Sequence, residues 1–577
     1  MFRKNKKHQQ PALISAASEL PEKQRKLLEN SWAGVFYQEF FSQIPEEEFA
    51  ILYSEKGSRP NIAVNVLIEL EAIKSGYRLS DEDLYNRYCF DLQVHYALGY
   101  DRLGDGSFEI RTLYNFRDRL SQYNLEHGVN LIEKAFEQVT DAQIGKLKIR
   151  TGIQRMDSTQ MASNIVWSSR LQLLVEALQR VERILNEEDK QHWAMTLEPF
   201  VQERAGHYTY RIKGKEAQQE ALKRIGETIQ KILVGLKKGY GAEVAYQLLE
   251  RIFVEHFNVV ESDLKAKKNE EISPTSLQSV DDLEATFRTK GKGHFKGYVT
   301  NVCETCSPEN EIQLITRVQV APNHVEDDQL LAEALPNLVN RGDLGTIITD
   351  GAYGGSASTP VLNEHGVEIL TTGIRGKKAT SNTLHLSDFE FQSEGQGNPH
   401  LLTFPKGQTI PLVITCKGRF QARFDADLCM SCPFQQNGQC PTHSQKRKTG
   451  FLLTFSARDL VVAQRRKEYD AHYDGKHNPR SAVEATVRSV KCHFPAGKLP
   501  VRGRFRVSCM MNSSAAMTNV RRIHRYLIKL NVNKEKSSVS GSGFSDLSSF
   551  LSFLFFMLDR FFGFLLPSRN LKFGLLQ

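Results

Sequence analysis

The sequence predicts a mixed α/β fold in which a sheet-containing core is combined with long helical regions. Short β-branched runs end at turn residues, as in residues 344–350, which is typical of strands buried on both faces. Residues 28–125 and residues 168–285 instead carry apolar side chains at helical spacing. Between residues 312 and 350 a strand pattern, a helix pattern and a second strand pattern follow one another, which is the succession of a mixed or parallel sheet.

Composition sets only broad limits. The chain has 577 residues, 40% hydrophobic and 25% charged, which is ordinary for a soluble protein with several domains. Its net charge of +8 (75 basic minus 67 acidic residues) mildly favours an anionic partner. Nine scattered cysteines without a signal peptide favour a reducing cytosol over a disulfide scaffold. The cytoplasm is therefore the expected location.

The first part of the chain predicts a helical domain. Residues 1–27 open with a basic run and are interpreted as a flexible lead, and residues 28–145 as a helical N-terminal domain. This domain either contacts phosphates of an anionic partner or serves packing and dimerisation. Its basic residues that are available for phosphates are Arg59, Arg78, Arg111, Arg117 and Arg119.

A short segment near residue 484 predicts a helix with one charged line. At about 100° per residue, Arg480, Glu484 and Lys491 fall within roughly 40° of one line along the helix. Pro479 suits the start of this helix. The adjoining stripe is apolar and consists of Val483, Val487 and Val490. The helix therefore either presents base, acid and base to a cleft or is a solvated helix with ordinary ion pairs.

Two aspartates stand at strand-like runs upstream. Residues 147–157 alternate apolar and polar positions and predict a strand that ends at Asp157, while Asp350 follows the buried strand pattern of residues 344–349. Each aspartate alone has a structural explanation, since Asp-Ser-Thr suits a cap and Asp-Gly a turn. The order strand-Asp, strand-Asp, helix-Glu is much rarer than either alone.

In these residues the chain resembles the DDE transposases of bacterial insertion sequences, in the group with a Tyr-x2-Arg-x3-Glu-x6-Lys signature. Arg480, Glu484 and Lys491 meet that spacing, and Asp157 and the Asp350-Gly-x-Tyr353 segment match the first and second acid motifs. His477 stands at the tyrosine position. The resemblance extends loosely from about residue 55 to about residue 525.

The resemblance implies a ribonuclease-H-like catalytic domain over residues 146–530, in which Asp157, Asp350 and Glu484 bind two Mg²⁺ or Mn²⁺ ions. It implies that the helical domain of residues 28–145 binds the DNA ends of the element. It also implies cleavage of DNA at these ends and strand transfer into target DNA, within a homodimer or larger synaptic complex. Arg480, Arg488 and Lys491 are the expected DNA contacts. A nucleoid-associated protein without a small-molecule substrate is expected. A nuclease of the same fold and an inactive DNA-binding relic are the alternatives.

Two insertions interrupt the predicted catalytic domain. Residues 168–285 are predicted to be helical, and residues 374–450 form a cysteine-containing insertion. The Cys429-Met-Ser-Cys432 pair and Cys440, with Cys416 or His443 as the fourth ligand, indicate either a structural zinc site or free cysteines in a small β-rich insert.

The C-terminal residues 531–577 are interpreted as a linker and an apolar tail. Residues 550–566 are rich in Phe and approach the length of a membrane span, but Asp559 and Arg560 interrupt them. A helix docked on the protein or on a partner subunit is favoured over membrane contact.

Overall fold

The computed structural model describes residues 1–539 except 11–13, 57–59, 261–262, 292, 373–382, 394–398, 406, 417, 445–449, 473–479, 492–493 and 495–497. The apolar tail, His477, Pro479 and Arg59 lie outside the described residues. Residues 1–523 form one compact unit, and residues 524–577 belong to a second. No helix of the described part is long and apolar enough to cross a membrane.

The N-terminal region is helical, as the apolar spacing predicts. Its helices are α1 Glu22–Glu29, α2 Trp32–Glu39, α3 Val64–Tyr77, α4 Asp81–Phe90, α5 Leu92–Ala97, α6 Arg111–His127 and α7 Leu131–Leu147. Side-chain oxygens of Ser31, Ser80, Asp91 and Asn130 cap four of them by accepting backbone N–H groups of the first turn.

Part of the predicted flexible lead is docked on this region. The Lys4 ammonium forms an ion pair with Glu47 at 2.6 Å, the backbone N–H of Asn5 donates to Glu46, and that of Arg3 donates to Asn61. The acidic turn at residues 46–48 attracts the basic segment, which the sequence pattern of the lead alone does not reveal. Arg117 forms ion pairs with Glu71 and Asp81 at 2.7 Å each. It is therefore not available for phosphates, contrary to the prediction.

One helix of this region buries a carboxylate without any partner. Glu69 on α3 is fully buried, and neither of its carboxylate oxygens has a hydrogen-bond partner. Burial raises its pKa well above the usual value, because the charged form is penalised in a low-dielectric interior. Burial likewise raises the pKa of Glu46 and of Glu133 to about 7.

Because of these carboxyl groups, we expect the free energy of unfolding to fall as the pH rises. Above about pH 4.5 these carboxyl groups are ionised in the unfolded chain but still protonated in the folded protein. The free energy of unfolding is therefore highest below that pH and falls as the pH rises towards the pKa values of the folded state. We expect the melting temperature to decrease from pH 5 to pH 8. Glu69→Gln should raise it at pH 8 and flatten its pH dependence.

Differential scanning fluorimetry across this pH range measures the effect. Glu220→Gln, at an exposed position of α11, is the matched control and should behave as the parent. A Glu69→Gln protein with the pH profile of the parent would contradict the expectation.

The central region combines a sheet with inserted helices. Its elements are β1 Ile153–Met161, α8 Arg170–Ile184, α9 Glu187–Val201, α10 Ala205–Tyr210, α11 Lys215–Tyr240, α12 Val244–His256, β2 Phe257–Val260, β3 Asp263–Ala266, β4 Thr286–Lys290, β5 Gly293–Thr305, β6 Ile315–Pro322, α13 Asp327–Asn340, β7 Thr346–Thr349, α14 Ser358–His365 and β8 Glu368–Thr371. The apolar stripes predicted for the inserted helices are buried on α8, α11 and α12.

The larger sheet of the described residues runs β6, β5, β1, β7, β8, and β4 pairs with the first part of β5. Strands β1, β7 and β8 are parallel, whereas β5 is antiparallel to β1 and to β6. Helices α13 and α14 cover one face through a core that contains Leu331, Leu335 and Leu362. β1 begins six residues later than the predicted strand, so Asp157 lies in its middle rather than at its end.

The last described region contains a second sheet and the C-terminal helices. Its elements are β9 Glu390–Ser393, β10 Pro399–Thr403, β11 Thr409–Ile414, β12 Phe420–Phe424, α15 Ala426–Met430, α16 Pro433–Gln436, β13 His443–Ser444, β14 Phe451–Phe455, α17 Ala457–His472, α18 Ser481–Lys491 and α19 Arg504–Val539. Strands β9–β14 form an antiparallel sheet with its own aromatic core, so the cysteine-containing insertion is β-rich. The chain then returns to the larger sheet through α18, which packs on β1 and β5.

Candidate active site

The two aspartates lie at corresponding places on neighbouring strands. The parallel register pairs Gln154 with Ile347 and Arg155 with Ile348. Asp157 and Asp350 each lie two residues beyond that last pair, and adjacent strands are about 4.8 Å apart. Asp350 follows β7 directly, where the chain turns and the Ala352 N–H donates to its Oδ1 at 2.8 Å. The sheet therefore brings the first two acids together.

Helix α18 adds the glutamate. Val483, Val487 and Val490 are buried as the apolar stripe predicts, which turns the opposite side of the helix outward. Arg480, immediately before the helix, contacts Asp157 and Glu484. Its Nη1 lies 3.1 Å from Asp157 Oδ2, and its Nη2 donates to Glu484 Oε1 at 2.7 Å. A guanidinium thus joins the acid of β1 to the acid of α18.

The electrostatics of Asp157 reflect this convergence. Burial is the main reason that its pKa is raised to about 6, and the carboxylates of Asp350 and Glu484 raise it further by repulsion. Arg480 and the Ser158 N–H oppose the increase. Repulsion among carboxylates is the condition that a bound cation relieves, so this cluster favours positive charge.

The other predicted DNA contacts extend the charged side of α18. Lys491 donates from Nζ to Thr159 Oγ1 at 3.1 Å, two residues along β1 from Asp157. Arg488 lies one helical turn after Glu484 and is exposed. Arg480, Arg488 and Lys491 therefore follow the acids along one side of α18, and their role in DNA binding stays a prediction.

Polar contacts on the face of the sheet opposite to Asp157 hold the loop after Asp350 in place. Tyr353 is fully buried and donates to Asn301 Oδ1 at 2.7 Å, which ties this loop to β5. Ser158, the neighbour of Asp157, donates to Asp327 Oδ1 at 2.7 Å at the start of α13. Both contacts restrict the backbone on either side of the two aspartates.

A buried ion network positions α18, and sequence reasoning did not find it. Glu304 on β5 is fully buried. Its Oε1 accepts from Arg155 Nε at 2.6 Å, and its Oε2 accepts from Arg522 Nη1 and Thr486 Oγ1 at 2.7 Å each. Thr486 and Glu484 lie on the same helix, and Arg155 and Asp157 lie on the same strand. Glu304, a charged residue within an apolar strand, was the only sequence signal.

The donor set suits a hard divalent cation, because Asp157, Asp350 and Glu484 offer carboxylate oxygens. Among the described residues, however, no group of three or more acidic, histidine or cysteine side chains stands in a ready metal-binding arrangement. The Arg480 guanidinium contacts one oxygen of Asp157 and one of Glu484. A cation between these two carboxylates would replace it.

The predicted zinc ligands are only partly brought together. Cys429, Cys432 and Cys440 line one small cavity of about 210 Å³, and burial raises the pKa of Cys429 to about 11. Cys416 is exposed beyond the far end of β11, whereas Gln408 at the near end lines the cavity. The side chain of His443 lies outside the description, so a zinc site stays a prediction.

Comparison with known proteins gives one match. Residues 405–524 match a family model described as "Transposase DDE domain". The match includes Arg480, Glu484 and Lys491 but neither aspartate. No curated protein and no solved structure match the chain. The match supports a DDE transposase, an enzyme class that acts on DNA and generally uses divalent metal ions.

Proposed function

We propose that this protein is a transposase of the insertion-sequence type that cuts DNA at the ends of its element and joins the freed ends to target DNA. The observation that carries the proposal is the approach of Asp350 and Glu484 to Asp157, with Arg480 bridging Asp157 and Glu484, next to a segment that matches a transposase domain. The strand order β6, β5, β1, β7, β8 with an antiparallel β5 supports a ribonuclease-H-like core.

The reaction consists of two substitutions at phosphorus. Water first attacks the phosphodiester at the element end, and the 3′-oxygen leaves as a hydroxyl. That 3′-hydroxyl then attacks a target phosphodiester, so that one P–O bond forms as another breaks. Asp157, Asp350 and Glu484 would hold two divalent ions, which, when bound, lower the pKa of the attacking hydroxyl and stabilise the charge on the leaving oxygen.

The other residues of the proposed site attract the DNA backbone and hold Glu484 in position. Arg480, Arg488 and Lys491 place positive charge beside the acids, which favours the approach of the DNA backbone and offsets the repulsion between phosphate and carboxylates. The Glu304 network holds the backbone of α18 against β1. The position of Glu484 relative to β1 is therefore fixed. Cleavage of both element ends favours a homodimer or larger complex as the active form.

The proposal predicts metal-dependent cutting of the DNA that flanks the gene. A supercoiled plasmid that carries the gene with its native flanks is incubated with the purified protein and a second, target plasmid. We expect breaks at the boundaries of the element when Mg²⁺ is present and none with chelator. Joined products should appear with the target plasmid.

The outcomes distinguish the competing functions. Cutting without joined products would indicate a nuclease of the same fold. DNA binding without any cutting in Mg²⁺ or Mn²⁺ would indicate an inactive DNA-binding relic, and the transposase proposal would be abandoned.

A further inference from the structure

A large basic groove lies beside the predicted active site and has no part in the proposed chemistry. It has a volume of about 1030 Å³ and is formed by the start of α8, the end of α12 and the β4–β5 pair. Its lining includes Trp167, Arg170, His256, Phe287, Lys290 and Lys296.

The groove has more cations than acids in its lining, because Glu270 and Glu326 are its acids and Glu326 pairs with Arg288 at 3.5 Å. Arg170 donates to the backbone oxygens of Lys267 and His256, and Lys296 donates to that of Ser168. In the described structure neither Arg170 nor Lys296 pairs with a carboxylate within 4.0 Å. Burial lowers the pKa of Lys296, and the nearby Glu176, which accepts hydrogen bonds from Ser168 and Gln172, opposes this only in part.

Unpartnered buried groups add to the charge imbalance. His256 is 4% exposed, and both of its ring nitrogens and the Nε of Arg170 are buried without a hydrogen-bond partner. Burial lowers the pKa of His256 to about 4, and the cations Arg170, Lys267 and Lys296 lower it further. Native proteins pair most buried polar groups, so this cluster is energetically unfavourable unless an anion completes it.

Aromatic rings line the same groove. Trp167 is 58% exposed, so its ring is accessible from the groove. Phe287 on β4 stacks on His294 of β5, with ring centroids 5.7 Å apart and planes at 19°. Exposed aromatic faces between cations are the surface on which unpaired bases stack while their phosphates are neutralised.

The groove lies on the same side of the sheet as the acids. Asp157 pairs with Val302 and Met161 with Tyr298, and Lys296 is two residues further along β5, so alternation places it on the face of Asp157. Lys296 is six residues from Val302, a distance of about 20 Å along the strand. That corresponds to about six nucleotides of a DNA strand at 3.4 Å each.

We propose that this groove binds a short stretch of single-stranded DNA, with phosphates at Arg170, Lys290 and Lys296 and a base stacked on Trp167. The inference deepens the proposed function and rests on it, because a strand that is cut at the acids and separated from its complement can reach the groove. In duplex DNA the bases are stacked on one another, so their faces are not free to stack on these rings.

Binding is measured in chelator, so the result does not depend on cutting. The probes are fluorescein-labelled (dT)12 and a 30-base-pair duplex, followed by fluorescence anisotropy over a range of salt concentrations. Trp167→Ala/Lys290→Gln changes two exposed side chains of the groove. Tyr210→Ala/Lys213→Gln is the matched control, an exposed aromatic side chain with a lysine over its ring, outside the groove.

We expect the groove variant to bind (dT)12 about tenfold more weakly, because stacking and one phosphate contact are lost. The slope of log affinity against log salt should become shallower by about 0.7 for that contact. The control variant should bind as the parent. A normal melting temperature of the groove variant ensures that its fold is retained.

Equal binding of (dT)12 by the parent and the groove variant would overturn the inference, and so would an equal loss in the control variant. Weaker binding of the duplex alone would also overturn it, since the groove would then contact duplex phosphates. Failure of Mg²⁺-dependent cutting with intact (dT)12 binding would instead reject the proposed function and leave the groove in place.

Discussion

Asp157→Asn, Asp350→Asn and Glu484→Gln are each expected to lower the rate of Mg²⁺-dependent DNA cutting by roughly a thousandfold. Each change keeps the size of the side chain and removes one negative charge from the group of acids around Asp157. With one carboxylate fewer, the site holds divalent cations more weakly and stabilises less of the charge that develops on the leaving oxygen. Product formation on the flanked plasmid, followed over time on gels, measures the rate.

Two controls separate chemistry from folding and binding. Glu364→Gln removes an exposed carboxylate from α14 and should cut at the parent rate. The three variants should bind the flanking DNA at least as tightly as the parent, since the acids repel phosphate rather than attract it. If all three cut at the parent rate, these acids are not the catalytic residues.

The second large effect is expected from Glu304, which contacts neither DNA nor metal in the proposed reaction. Glu304→Gln leaves Arg155 and Arg522 with a buried neutral partner. Loss of one member of a buried ion network costs about 3–5 kcal/mol, so the melting temperature should fall. Cutting should also decrease by roughly a hundredfold, because α18 and Glu484 lose their fixed position relative to β1.

A milder variant distinguishes positioning from general instability. Thr486→Val removes the hydroxyl that donates to Glu304 Oε2 and accepts from Arg522 Nη2, but it keeps the ion pairs of Glu304 with Arg155 and Arg522. We expect the melting temperature to fall less than in Glu304→Gln, the DNA affinity to stay unchanged, kcat to decrease and the Mg²⁺ requirement to rise, and Thr486→Ser should restore both kinetic values. If kcat follows the melting temperature in every variant, the network has a structural role only.

The N-terminal lead and Arg117 show what composition cannot decide. A run of basic residues suggests a flexible, phosphate-binding segment, but Lys4 pairs with Glu47, more than forty positions away. Arg117 is held by carboxylates on α3 and α4. Acidic partners that are distant in the chain are brought into reach only by folding, and they remove cations that a sequence count treats as available.

The sequence by itself determined the local elements that carry the predicted site. Spacing places Arg480, Glu484 and Lys491 along one line and three buried valines beside them, because helical geometry depends on neighbours within two or three turns. The β-branched pattern before Asp350 likewise predicts β7.

Only the tertiary structure decided how these elements meet. The β1–β7 register sets Asp157 beside Asp350, the Glu304 network fixes α18 against β1, and β11 keeps Cys416 away from the other three cysteines. The basic groove likewise depends on the start of α8, the end of α12 and the β4–β5 pair coming together. These contacts join residues many positions apart, so the free energy that selects them comes from burial and pairing across the whole fold rather than from any local pattern.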